Sequence, residues 1–293
     1  MATKRAILIA GATASGKSAV GLRLARRFDG VIVNADSMQV YAEMRVLTAR
    51  PDVADERAAP HRLYGHISAR EHYSVGRWLE DVQRVLVEIE QLGRRAIFVG
   101  GTGLYFNALT RGLSPMPRID DAVRAHWRAE AHRRPPQELH AELARLDPLT
   151  ASRVRSSDPQ RIVRGLEVIQ STGRPLASWQ AESGPPLLAE GSWRGLVIAP
   201  PRETLYSRAE SRFDQMMARG ALDEVHTLRG MQIDPDLPAM RALGVAPLMK
   251  HLDGEVSYDA AIELAKTQTR QYIKRQLTWL RRYMISWRWG FAK

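Results

Sequence analysis

The sequence predicts an α/β protein: a doubly wound parallel sheet with an all-helical insertion domain. Three observations lead there. Short apolar runs alternate with segments of helical periodicity, three of the runs lead into a glycine or an acid, and the middle of the chain loses such runs and is broken by prolines.

The first run, Ala6-Ile7-Leu8-Ile9-Ala10, ends at Gly11 and reads as a buried parallel strand. Residues Ser18 to Phe28 then carry Val20, Leu22, Leu24 and Ala25 at helical spacing. Gly30 to Ala35 is a β-branched run that delivers Asp36 at its carboxyl end. An amphipathic helix is expected from Ser74 to Leu92, through Val75, Trp78, Leu79, Val82, Leu86 and Ile89. A third strand, Ala96-Ile97-Phe98-Val99, enters Gly100-Gly101-Thr102-Gly103. Ligands of doubly wound sheets lie beyond the carboxyl ends of the strands, so these three loops share one functional edge.

From about Gly112 the character changes, with a break at Pro115 and Pro117. Asp120-Asp121 starts a helix that stops at Pro135-Pro136, Asp147-Pro148 and Asp158-Pro159 repeat a cap-then-proline start, and Gly173 ends the last of these. The expected division is a core of residues 1–111 and 190–293 with a helical insertion of residues 112–189. Leu196 to Ala199 reads as one more strand. The last helix is expected from Tyr258 to about Trp287, with Lys266, Arg270 and Lys274 repeating every four residues on one face.

Of the 293 residues, 44% are apolar and 26% charged, which is globular composition. Cysteine is absent, which removes disulfides, thiolate catalysis and cysteine zinc sites, and the eight histidines lack metal-ligand spacing. No run approaches the roughly 20 apolar residues of a membrane span, and Met1 to Arg5 lead straight into the first strand. A cytoplasmic protein without membrane attachment is expected. The formal net charge is +11, and after Glu263 no acid follows while Lys266, Arg270, Lys274, Arg275, Arg281, Arg282, Arg288 and Lys293 contribute +8. Such asymmetry points to a polyanionic partner.

Gly11-Ala12-Thr13-Ala14-Ser15-Gly16-Lys17-Ser18 satisfies the G-x-x-x-x-G-K-[ST] phosphate-loop pattern, between strand and helix as the mechanism requires. Backbone amides would cradle phosphate oxygens, Lys17 would add a point charge, and the Ser18 hydroxyl suits Mg²⁺. The fold is therefore expected to be of the P-loop type. The strand at Ile97 to Val99 ends in glycine, where many phosphate-loop enzymes carry a magnesium-binding acid. Asp36 stands instead at the mouth of the neighbouring strand. Alone it could merely cap a turn; on the same edge as the phosphate loop it is a candidate catalytic group.

Six blocks in order resemble the tRNA dimethylallyltransferase (tRNA isopentenyltransferase) family: Gly11 to Ser18, Ala35 to Tyr41, His61 to Val75, Gly100 to Tyr105, Asp158 to Arg164, and Thr269 to Arg281. The resemblance implies transfer of a dimethylallyl group from dimethylallyl diphosphate to the exocyclic amino nitrogen of the adenosine 3′-adjacent to the anticodon in tRNA. It makes Asp36 the general base and Thr102 a contact to the adenosine, with Ser37, Met38 and Gln39 lining the pocket of the flipped base. Gly11, Thr13, Ala14, Ser15, Gly16, Lys17 and Ser18 would hold the diphosphate, with Arg212 of the pair Arg208 and Arg212, and Ser18 would hold Mg²⁺. Arg124, Gln160, Arg161, Ile162, Val163 and Arg164 in the insertion, and Lys274, Arg275, Gln276, Trp279 and Arg281 in the last helix, would meet the anticodon stem-loop. A monomer is expected. The chain departs from the family pattern at Ala12, at Met44 to Leu47 and at Gly244-Val245-Ala246-Pro247.

Three other readings remain open at this level: a phosphate-loop kinase of a nucleotide or small metabolite, an adenylate isopentenyltransferase acting on a free nucleotide, and an RNA-binding module with a vestigial nucleotide site. The basic end of the chain is unexplained by the first, and the insertion weighs against the second.

Overall fold

The computed structural model describes residues 6–116 and 118–290; Met1 to Arg5, Pro117 and Lys293, which the sequence reading used, lie outside them. The core runs β1 (Ala6–Gly11), α1 (Lys17–Phe28), β2 (Gly30–Asn34), α2 (Val53–Ala58), β3 (His61–Arg62), α3 (Val75–Gln91), β4 (Arg95–Gly100) and α4 (Gly103–Arg111). Then come α5 (Asp121–Arg133), α6 (Pro136–Leu146), α7 (Pro148–Ala151), α8 (Pro159–Thr172) and α9 (Leu176–Gln180). The chain continues through β5 (Trp193–Ile198), α10 (Arg202–Ala218), α11 (Ala221–Gly230), a 3₁₀ turn at Pro238–Arg241, α12 (Val245–Leu252), α13 (Tyr258–Tyr283) and β6 (Arg288–Gly290).

The six strands form one parallel sheet in the order β3-β2-β4-β1-β5-β6. Successive side chains of a strand face opposite sides, and both sides here are covered. Leu8, Val31, Val33 and Phe98 pack with Trp78, Val82 and Ile89 of α3. Ile9, Ile32, Ile97 and Val99 pack on the other side with Val20 and Ala25 of α1. This double burial explains why the strands read as continuous apolar runs. It also makes the α/β, doubly wound expectation the observed architecture.

Two strands lie outside the sequence reading, and one helix is shorter than expected. β3 is a two-residue edge strand, registered through Ile32 opposite His61 and too short and polar to show a pattern. α13 stops at Tyr283, not near Trp287, and the chain then turns to add β6 beside β5. The reason is packing: Trp287 lies over Gly195, where a Cβ would come within 2.2 Å of the indole, and beside Trp193 and Phe106 at ring separations of 5.4 and 5.5 Å. Continuing the helix would forfeit that burial.

Contacts divide the chain into two units, residues 1–110 with 187–293, and residues 111–186. The second unit is all helical among its described residues. Its own core comprises Trp127, Leu139, Leu143, Ile162 and Leu166. The buried Asp147 caps α7 by accepting from the Thr150 amide at 2.9 Å and also accepts from the Leu176 amide at 3.1 Å. No helix among the described residues is long and apolar enough to cross a membrane.

Candidate active site

The turn from β1 into α1 makes an anion-binding concavity. A Cβ on Gly11 would sit 2.5 Å from Ser15 Oγ and 2.8 Å from the Ile198 carbonyl, so glycine is needed for the loop to close. Gly16, at φ +85°, precedes α1 without any side-chain cap, which leaves the first helical amides available to an anion. Ser15 Oγ is buried with no hydrogen-bond partner. Ser18 is exposed at the start of the helix.

Among the described residues, Lys17 Nζ donates only to the Ala12 carbonyl, at 3.4 Å. Burial lowers its pKa to about 8, opposed by the charge of Asp36 and reinforced by that of Arg212. Arg212, on α10, is pulled down by burial and partly restored by Asp36. Neither cation has an ion-pair partner among the described residues, whereas Arg208, one turn away, is exposed. Two desolvated cations that share one carboxylate, Asp36, leave positive charge unbalanced. An anionic ligand between them would balance it.

The loop after β2 is built differently. The buried Asn34 donates to the carbonyls of Asp36 and Leu63 at 2.9 and 3.0 Å and accepts from the Asp36 amide at 2.8 Å. Asp36 Oδ1 accepts from the Met38 amide at 3.0 Å. Asp36 Oδ2 points to the β4 side, 3.4 Å from where a Cβ on Gly101 would lie. Thr102 Oγ1 accepts from the Ser37 amide at 2.9 Å and donates to Ser37 Oγ at 3.2 Å, so Asp36, Ser37 and Thr102 form one cluster. Gln39 donates to the carbonyls of Thr48 and Ala49 at 2.8 and 2.9 Å, while Met38 packs part-buried on the core. The segment that Gln39 holds is itself seated on α11: Glu224 accepts from the amides of Arg45, Val46 and Leu47 at 2.7 to 2.9 Å.

Four residues escaped the sequence reading. Asn34 is one, although an Asn at a strand end beside an acid is an Asx-turn signal. Tyr64, Tyr105 and Tyr272 are the others of note: burial raises each phenol, and Asp36 raises it further. Nothing in their spacing announces that one carboxylate acts on all three.

The residues expected to meet RNA separate by exposure. Lys274, Arg275 and Arg281 are exposed on α13 and make no ion pair among the described residues, and Gln160 and Arg161 are exposed on α8. Arg124 pairs with Asp121 at 3.0 Å, Arg161 with Asp158 at 3.5 Å and Arg164 with Glu167 at 3.2 Å, all within one helical turn. Ile162 is fully buried in the insertion core, so its side chain is withheld from RNA, and Val163 packs part-buried against that core. Trp279 packs over Gly103 and stacks on Tyr283 at 4.7 Å. Gln276 is buried, accepting from the Thr13 amide at 2.9 Å and donating to the Gly101 carbonyl at 3.1 Å. This bond occupies the Thr13 amide, leaving its hydroxyl for a ligand.

The basic stripe is also shorter than its sequence. Lys266 pairs with Asp214 at 2.7 Å and Arg270 with Glu210, both on α10. Among the described residues, the part of α13 without ion pairs begins at Lys274.

The model of the IPP transferase family matches residues 39–283, and that of isopentenyl transferase matches residues 4–70. The chain is 53% identical over 285 residues to a tRNA dimethylallyltransferase of Bradyrhizobium sp. strain BTAi1, covering 97% of this chain and 93% of that one. It is 55% identical over 279 residues to the corresponding protein of Chelativorans sp., covering 95% of each. The solved structure of the full-length tRNA isopentenylpyrophosphate transferase of Bacillus halodurans matches at a TM-score of 0.69 and 31% identity, over 98% of this chain and 89% of that one. A eukaryotic dimethylallyltransferase acting on tRNA matches at a TM-score of 0.76 and 28% identity, over 94% of this chain and 70% of that one. The chain belongs to the tRNA dimethylallyltransferase (IPP transferase) family.

Proposed function

We propose that this chain transfers the dimethylallyl group of dimethylallyl diphosphate to the exocyclic amino nitrogen of the adenosine 3′-adjacent to the anticodon in tRNA, releasing diphosphate. The observation that carries it is the pairing of an unbalanced cationic pocket, Lys17 with Arg212, and a carboxylate with one uncommitted oxygen, Asp36, on one sheet edge.

In the reaction the amino nitrogen forms a bond to the donor's terminal methylene carbon while that carbon's bond to the diphosphate oxygen breaks. The diphosphate leaves with the bonding electrons and the amine proton passes to Asp36 Oδ2. An aromatic amine is a weak nucleophile, so a carboxylate held at it matters most as positive charge builds on nitrogen. The free helix amides, Lys17 and Arg212 stabilise the negative charge that grows on the leaving group. Thr102 and Ser37, locked to each other, hold the base beside Asp36.

Mg²⁺ fits this donor set as a partner of the substrate: it binds with few protein ligands and several phosphate oxygens, and Ser18 offers one exposed hydroxyl. Among the described residues no group of three His, Cys, Asp or Glu could hold a metal by itself. The metal would neutralise diphosphate charge. The same reading places the protein in the cytoplasm, as a monomer, with tRNA as its macromolecular substrate.

Incubating the protein with an anticodon stem-loop, Mg²⁺ and labelled dimethylallyl diphosphate, followed by nucleoside mass spectrometry, tests the reading. Isopentenyl adenosine should appear, and Asp36→Asn should slow its formation by about 10²- to 10⁴-fold, the range for loss of a general base. Label transfer from ATP instead, or to free AMP instead of RNA, would replace this reading with one of its rivals.

A further inference from the structure

Gln276 sits in the middle of the block expected to bind RNA, yet its side chain faces inward. It is 6% exposed, between the exposed Arg275 on one side and the buried Leu277 on the other. Its amide joins two loops that are remote in sequence. Oε1 accepts from the Thr13 amide of the phosphate loop, and Nε2 donates to the carbonyl of Gly101, next to Thr102.

The geometry leaves little freedom. A Cβ on Gly101 would lie 2.4 Å from Gln276 Nε2, so glycine at that position admits the amide. Ile273 and Leu277, the residues three before and one after, pack on Ala12 of the phosphate loop and on Leu205 and Ala209 of α10. The side chain's rotamer is therefore held by packing on both sides. Both of its bonds are to backbone, so it sets the position of main chain, not of a neighbouring side chain.

We propose that Gln276 is a positioning residue for the transfer step: it fixes the separation between the phosphate loop and the Gly101–Thr102 loop, and so between donor and acceptor. The proposal rests on the prenyl-transfer reading above. Two reactants held at reacting distance gain much of their rate from placement, and a shift near 1 Å can cost about a hundredfold. Because Lys274 and Arg275 lie on the same turn, the helix that faces RNA also holds the loop that faces the donor.

The test is Gln276→Leu, which keeps the volume and removes both bonds. The single-turnover rate at saturating donor and stem-loop should fall by about a hundredfold, with the stem-loop Kd within about twofold of wild type. Hydrogen exchange of the 11–17 segment, in protein without substrates, should become faster. A rate within twofold of wild type, or a weakened stem-loop Kd with an unchanged saturated rate, overturns the proposal; the second result would make Gln276 an RNA contact. Should Gln276→Leu not fold, Gln276→Glu, which still accepts from Thr13 but cannot donate to Gly101 when ionised, is read by the same criteria. Failure of the wild type to prenylate the stem-loop condemns the functional reading instead, and the exchange result stands apart from it.

Discussion

The phosphate loop and the loop after β2 lie on one sheet edge and solve opposite problems. In the loop after β2 nearly every polar group is committed internally: Asn34 makes three hydrogen bonds, Ser37 and Thr102 bond each other, and Gln39 is tied to the carbonyls of Thr48 and Ala49. In the phosphate loop the side chains have few partners among the described residues, with Ser15 Oγ orphaned, Ser18 exposed and Lys17 holding one long hydrogen bond. Commitment makes a rigid wall for a base; its absence stores binding potential for an anion. The same contrast runs along α13, where Lys266 and Arg270 are paired to α10 and Lys274 and Arg275 are not.

The largest effect is expected from removing charge from the uncommitted loop. Lys17→Met should lower the transfer rate by about 10²- to 10³-fold, as expected for losing a donor aimed at developing charge, and should raise rather than lower the thermal midpoint. Stabilisation is expected because the ligand-free fold buries an unpaired cation; a large drop in midpoint would mean that Lys17 is structural. The pH dependence follows from the same burial. With a pKa near 8, Lys17 is charged below that pH and loses its proton above it, so donor affinity should fall as pH rises through 8. Between about 8 and the ordinary lysine value near 10.4 the unfolded chain keeps a proton that the folded one has shed, so ligand-free stability from this group rises with pH in that window. Calorimetric titration of inorganic diphosphate across pH 7 to 10 reads the first effect.

A second experiment sharpens the contrast along α13. Replacing Lys274 and Arg275 with alanine should weaken stem-loop binding and flatten its log–log salt dependence by about 1.4 to 1.8, at 0.7 to 0.9 per phosphate contact. Replacing Lys266 and Arg270 should leave the slope unchanged, since their charges are already met by Asp214 and Glu210. Equal slopes for the two double variants would erase the distinction. The smallest expected effect is on the committed side. Glu224→Ala orphans three amides and should cost about 1–3 kcal/mol, lowering the midpoint by several degrees, with the transfer rate changed less than by Lys17→Met.

Much of this was legible in the residues because it depends on local signals. Three of the six strands, β1, β2 and β4, are apolar runs buried on both faces, and the helices starting at Val75, Pro148 and Pro159 carry their caps, Ser74, Asp147 and Asp158, in the sequence. The phosphate loop and Asp36 were visible as motif and position. What stayed hidden depends on partners far along the chain. Gln276 reads as one more polar residue in a basic helix until Thr13, 263 positions away, is seen to donate to it. Lys266 and Arg270 read as free charge until α10 supplies their acids. β3 and β6 owe their existence to the strands beside them, since two or three residues have no periodicity to detect.

The strand order carries one more consequence. The two loops that bear the chemistry follow β1 and β2, and these strands are not neighbours: β4 runs between them. Adjacent strands are about 4.8 Å apart, so the two loops start about 10 Å from each other. The intervening strand ends in Gly100, with Gly101 next, and a Cβ on Gly100 would lie 1.9 Å from the Ala35 carbonyl. A hydrogen-bonded sheet thus acts as a spacer of fixed width, whose middle strand brings no side chain of its own to the gap. Enzymes that need a longer or shorter reach between two loops could, on this plan, change which strands carry them.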